Sequence, residues 1–210
     1  MNNSLEKRFS RAKALFHQGQ ISAAAEETQA LIGILPKAPG AHLLLGSIYQ
    51  SQLHLEAAEA CCRTALKLRP RFLEAQHNLA NCLRLQGRLA EAVDAYQACL
   101  AITPNLPSAK KFMAQCLTDM NRTQEGIQVF DSILENHPNE SLTRWQNARA
   151  LPIIYSETPE IQQFRTRYAQ GLLRVTASLD LDTMEKAREA SDAIQDAFQL
   201  HYQGHQLLQL

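Results

Sequence analysis

The sequence predicts an all-α protein: a right-handed superhelix of antiparallel helix pairs, ended by a capping helix and two longer C-terminal helices. Three observations carry this. Pro36, Pro70, Pro104 and Pro138 recur at intervals of 34 residues. Small residues recur in step with them: Ala12, Gly46, Ala80 and Ala114 in one series, Ala24, Ala58, Ala92 and Gly126 in another. Apolar residues fill two more series, Leu15, Tyr49, Leu83 and Leu117, then Ile32, Leu66, Leu100 and Leu134. A period of this length marks a stacked repeat in which each unit supplies one helix pair.

Placing each proline at position 32 of its unit gives units that begin at Leu5, Pro39, Leu73 and Pro107. The small series then falls at positions 8 and 20, where two helices of a unit approach most closely, and a large side chain would overpack the contact at a cost of about 1 to 3 kcal/mol. The apolar series cannot be buried by one pair alone, so neighbouring units must stack. Position 15 reads Gly19, Leu53, Gly87 and Asn121. Gly and Asn tolerate the left-handed conformation that closes a helix C-terminus, and Leu53 departs from that rule. The prolines stop each second helix, because proline lacks an N–H and restricts the residue before it.

A fifth unit opens at Ser141 with Trp145, Ala148 and Leu151, and Pro152 interrupts it. One capping helix is therefore expected there. The predicted organisation is a repeat array over residues 1–151 and a helical extension over residues 152–210. In the extension, Thr158 and Pro159 read as N-cap and first helical residue, followed by an apolar stripe of Ile161, Phe164, Tyr168 and Leu172. Asp182 with Glu185 resembles a capping box that starts a last helix, with Ala187, Ala190, Ile194, Ala197 and Phe198 on its inner face.

Composition narrows the function. Lys plus Arg and Asp plus Glu are each 21, so the net charge is zero and no long-range basic field gathers phosphates. Nucleic acid is not expected as the partner. The opening MNNSLEKRFSRAKALF is charged throughout, and no run of about 18 apolar residues follows, so a cytoplasmic protein that does not enter a membrane is expected. Cys61, Cys62, Cys82, Cys99 and Cys116 lack zinc-site spacing and fall mostly on core positions, where cysteine packs as a small hydrophobe. His201 and His205 share a helix face, but with no third ligand nearby no metal site is expected.

The third unit, LEAQHNLANCLRLQGRLAEAVDAYQACLAITPNL, resembles a nearly complete tetratricopeptide repeat. The second keeps Leu45, Gly46, Tyr49, Ala58, Ala65 and Pro70, while the first carries Arg8 and Arg11 where the family pattern has large apolar groups, as suits a solubilising end unit. The strings LPIIYSETPEIQQFRTRYAQGL and FQLHYQG resemble the segment that joins such repeats to the catalytic part of bacterial glycosyltransferases related to O-linked N-acetylglucosamine transferase and SPINDLY. In those enzymes two Rossmann-like domains follow and transfer a sugar to Ser or Thr. Few residues follow the joining segment here, and none of the eight glycines lies in a Gly-rich strand-to-helix turn. No catalytic residue, cofactor or enzymatic activity is therefore expected of this sequence.

The tetratricopeptide resemblance implies a concave groove lined by the first helix of each unit. It places Glu74, His77, Asn78, Asn81 and Arg84 there, with Ser47 and Gln50 on one side and Lys111 and Gln115 on the other. In the transferase relatives, asparagines at the position of Asn78 form a ladder that holds a peptide backbone. Here that position reads Ser10, Leu44, Asn78 and Phe112, a single rung. A clamp for a chain-terminal carboxylate would need Lys, Arg and Asn converging, and position 9 reads Lys13, Ser47, Asn81 and Gln115 instead. The expected function is a module that binds a protein or peptide segment in this groove. The alternative is the substrate-recognition part of a glycosyltransferase, whose partner would be a separate catalytic domain; a second copy of the chain is the remaining candidate partner.

Overall fold

The computed structural model describes residues 2–138, 140–153, 155 and 158–177. Among them are ten helices: α1 (Asn2–His17), α2 (Ile21–Ile34), α3 (Pro39–Ser51), α4 (Leu55–Leu68), α5 (Leu73–Leu85), α6 (Leu89–Ile102), α7 (Pro107–Asp119), α8 (Thr123–Asn136), α9 (Ser141–Ala148) and α10 (Thr158–Ala177). They follow one another as sequential antiparallel pairs. The chain divides into two compact units, residues 1–116 and residues 117–210.

Helices α3, α5, α7 and α9 begin at Pro39, Leu73, Pro107 and Ser141, the first residues of their units. The first unit differs, since α1 starts at Asn2 rather than Leu5. Each second helix ends at a residue whose successor is proline: Leu35, Arg69, Thr103 and His137 cap α2, α4, α6 and α8 with φ of −126°, −142°, −135° and −132°. These angles lie outside the helical region, as a residue before proline requires. Each cap still donates its N–H to the carbonyl four residues back.

The turn inside each unit is equally regular. Gly19, Leu53, Gly87 and Asn121 have φ of +75°, +60°, +76° and +61°. The residue after each donates its N–H five residues back, to Leu15, Tyr49, Leu83 and Leu117, at 2.8 to 2.9 Å. This is the Schellman closure, in which one left-handed residue satisfies the loose carbonyls of a helix end. Leu53 breaks the sequence rule and keeps the geometry, with its side chain 71% exposed.

In residues 1–116 the core follows the small-residue series. Ala12, Ala24, Ala58, Ala80, Ala92 and Ala114 have no exposed surface. A Cβ on Gly46 would sit 3.3 Å from the Ala58 carbonyl oxygen and 3.2 Å from Cys62 Sγ, so α3 and α4 meet almost backbone to backbone. Ala12 and Ala24 join Leu44 and Ile48 of the next unit in one cluster, and Ala65 joins Phe72 and Ala75 in another. Stacking between units is what buries these apolar groups. All five cysteines are free thiols; four are buried and Cys61 is half-buried. Burial raises the Cys99 thiol to about 11 and holds it protonated.

In residues 117–177, α9 and α10 replace a further pair. Trp145 and Phe164 are buried, and Ile161, Tyr168 and Leu172 are half-buried. Helix α9 closes at Ala148, so Leu151 of the half unit lies beyond it. Gly171 permits a close crossing: a Cβ there would fall 2.5 Å from Ala148 Cβ. Arg167 Nη2 donates to the carbonyl oxygen of Asn147 at 2.7 Å and to its side-chain Oδ1, while Nη1 reaches the Ala150 carbonyl. Asn147 Nδ2 in turn donates to Asp131 Oδ1 at 2.6 Å. A half-buried guanidinium thus satisfies carbonyls that the end of α9 leaves open. Burial lowers its pKa, and Asp131 opposes that shift. Residues 178–210, with Asp182, Glu185, the inner face from Ala187 to Phe198, His201 and His205, lie outside the described residues.

Candidate functional site

The expected groove residues of residues 1–116 fall into three groups. In the first, α5 carries a connected polar cluster. Tyr96, on the second helix of the same unit, donates its hydroxyl proton to Asn81 Oδ1 at 2.6 Å. Because Oδ1 is occupied as the acceptor, the other end of the amide, Nδ2, donates to His77 Nδ1 at 3.2 Å. That bond requires His77 to be neutral, with its proton on Nε2. Burial lowers the His77 pKa and favours the same form. Tyr96 is fully buried, and desolvation raises its pKa while the positive charge of Arg84 acts to lower it.

The rings lock this cluster. Phe112 of α7 stacks on Tyr96 with centroids 6.1 Å apart and meets the His77 imidazole at 6.2 Å. Arg84 lies over Phe112 at 4.8 Å, and Lys111 lies 5.8 Å from the same centroid. Two donors remain without an acceptor, the buried Nε2 of His77 and Nε of Arg84. A buried donor left open costs about 1 to 3 kcal/mol, so this cluster is short of acceptors.

In the second group, Asn78 Nδ2 donates to Ser47 Oγ at 2.9 Å, and Ser47 donates to the Leu43 carbonyl at 3.1 Å. One amide proton of the single asparagine rung is therefore spent on the neighbouring first helix. In the third group Glu74 is exposed, Gln50 is half-buried and Gln115 is half-buried on α7. Sequence reasoning missed Tyr96, which stands on a second helix, and counted Phe112 only as a break in the asparagine ladder. An aromatic residue at a polar-face position was the available signal.

Elsewhere in residues 1–116 one cluster of opposite charges centres on Glu59 and Arg88. Glu59 receives Arg63 and Arg88 at 2.8 Å each, and Arg88 also reaches Glu91. Desolvation pushes the Glu59 carboxyl up, but the hydrogen bond from Arg63 and the charges of Arg88 and Arg63 outweigh it and lower the pKa. Among the described residues no group of three His, Cys, Asp or Glu side chains is placed to hold a metal ion, and no helix is long and apolar enough to cross a membrane.

Comparison with solved structures decides the architecture. MamA from Desulfovibrio magneticus superposes with a TM-score of 0.73 at 14% identity, over 83% of this chain and 94% of that one. YrrB, described as a TPR protein with an unusual peptide-binding site, matches with a TM-score of 0.68 at 14% identity, over 88% and 90% of the two chains. The fold is that of the tetratricopeptide-repeat proteins. A family model for subunit 3 of the anaphase-promoting complex, or cyclosome, matches residues 51–133, the best-kept units of the tetratricopeptide array. No curated relative matches the sequence. The O-GlcNAc transferase of Thermobaculum terrenum matches with a TM-score of 0.60 at 18% identity, over 64% of this chain and 26% of that one. That likeness is to a part of the enzyme and is one of fold.

Proposed function

We propose that this tetratricopeptide-repeat chain is a protein-interaction module that holds an extended peptide segment along the first-helix face of residues 1–116. The observation that carries the reading is the fixed polar cluster on α5. Asn81 is oriented by Tyr96 and His77, and Asn78 by Ser47, so their amides are positioned before any ligand arrives. Preorganised amides lose little freedom on binding and suit the alternating donors and acceptors of an extended backbone. YrrB, similar in fold, is described as having a peptide-binding site.

The test is selection of a random dodecapeptide library on the full chain, followed by fluorescence anisotropy with the selected peptides. Replacing Asn78 and Asn81 together by Ala should weaken them about tenfold while the helical circular dichroism stays constant. Equal affinity in the double variant would move the binding site off this face.

A second reading is favoured by the likeness to the transferase repeats and by the joining-segment strings. In it the chain selects substrates for a glycosyltransferase domain carried elsewhere. Sugar transfer to a bound peptide, seen only when a separately supplied catalytic domain is added, would support it.

A further inference from the structure

We infer that the segment held on this face is acidic, and that an Asp or Glu side chain docks at the Phe112 ring between Arg84 and Lys111. The inference rests on the peptide-binding reading above and adds the chemistry of the ligand.

Charge is distributed unevenly in a chain whose net charge is zero. Arg8 on α1, Arg63 on α4 and Arg88 before α6 each have a glutamate within 4 Å. No carboxylate among the described residues lies within ion-pair distance of Arg84 or Lys111. Both cations instead lie within 6 Å of one ring, at 4.8 and 5.8 Å. Lys13 repeats the arrangement on α1, 5.5 Å over Phe9. Of the residues expected on the face, only Glu74 is acidic, and it stands exposed outside the cluster.

The geometry suits a carboxylate. A guanidinium laid on an aromatic ring is held by its face and keeps its N–H edge for recognition, the arrangement in which arginine binds carboxylates bidentately. Arg84 has an Nε without an acceptor among the described residues. Lys111 adds a second positive charge from the next first helix. His77, held neutral with its Nε2 proton unmatched, adds another donor and no acceptor. The cluster is rich in donors and positive charge, and lacks the acceptors and negative charge that an acidic side chain brings. The residues of a terminal-carboxylate clamp are absent at position 9, so the carboxylate is that of a side chain within the segment.

The experiment uses the full chain and the dodecapeptides selected above, each compared with a copy in which Asp and Glu are replaced by Asn and Gln. The acidic peptides should bind about tenfold more tightly than their amide copies and should weaken as salt is raised. Arg84→Gln and Lys111→Gln should each reduce that preference, and the double variant should abolish it. Lys111 has no hydrogen-bond partner among the described residues, so its variant remains informative if Arg84→Gln perturbs the fold. Equal binding of acidic and amide peptides, or an unchanged preference in the double variant, overturns the inference. If peptides bind without acid preference yet depend on Asn78 and Asn81, only this inference falls; if no peptide binds, the groove reading falls with it.

Discussion

In residues 1–116 helix pairs close on alanines without exposed surface, whereas in residues 117–177 α10 meets α9 through Gly171 against Ala148 and through the Arg167 guanidinium. The first solution can be repeated, because an alanine demands nothing of its neighbour except a matching small residue. The second is made once. An eight-residue helix is too short to hold itself together, and the carbonyls at its end need a donor that the next segment must supply. Small residues therefore suffice where a neighbouring pair is always present, and a specific polar side chain takes over where the pattern stops.

The largest effect is expected from Arg167→Leu. It leaves the Asn147 and Ala150 carbonyls without their donor and removes the positive charge that faces Asp131, at a cost of about 3 kcal/mol. Trp145, the sole tryptophan of the chain and 4% exposed, reports on this region directly. Guanidinium denaturation followed by its fluorescence should shift well below the wild-type midpoint. An unchanged midpoint would mean that Gly171 and the apolar stripe alone hold α10 on α9.

Ala80→Trp probes the other region. Ala80 has no exposed surface, and the indole must displace a helix, at about 2 kcal/mol. The thermal midpoint read by far-ultraviolet circular dichroism should fall by roughly 4 to 8 °C. A midpoint within error of wild type would refute the repeat register.

Leu53→Gly has the smallest effect and the opposite sign. A leucine at φ +60° carries a steric penalty, and its side chain is too exposed for burial to offset it. Relief of that strain should stabilise the chain by about 0.5 to 1 kcal/mol. A lowered midpoint would show that the Leu53 side chain contributes packing that its exposure does not suggest.

Much of the array was legible because its rules are local. Proline acts on the residue before it and glycine on its own backbone, so Pro36, Pro70, Pro104 and Pro138 located four helix ends, and the units they define began where α3, α5, α7 and α9 begin. Leu53 shows the limit: the closure of α3 imposed a left-handed conformation that its side chain disfavours. The α5 cluster was half legible. His77, Asn81 and Arg84 follow from the tetratricopeptide resemblance, but Tyr96 belongs to the facing helix and Phe112 to the next unit. Arg167 gave no signal at all, since one arginine beside an apolar stripe reads as a solvated charge.

By itself the sequence determined the repeat period, the helix ends and which small residues close each pair, because backbone restrictions and side-chain volume act within a few residues. The tertiary structure alone decided which polar groups share a proton, which cations lie over Phe112 without a carboxylate, and which donor closes α9. Those outcomes depend on side chains far apart in the chain, whose separation is set only once the helices have packed.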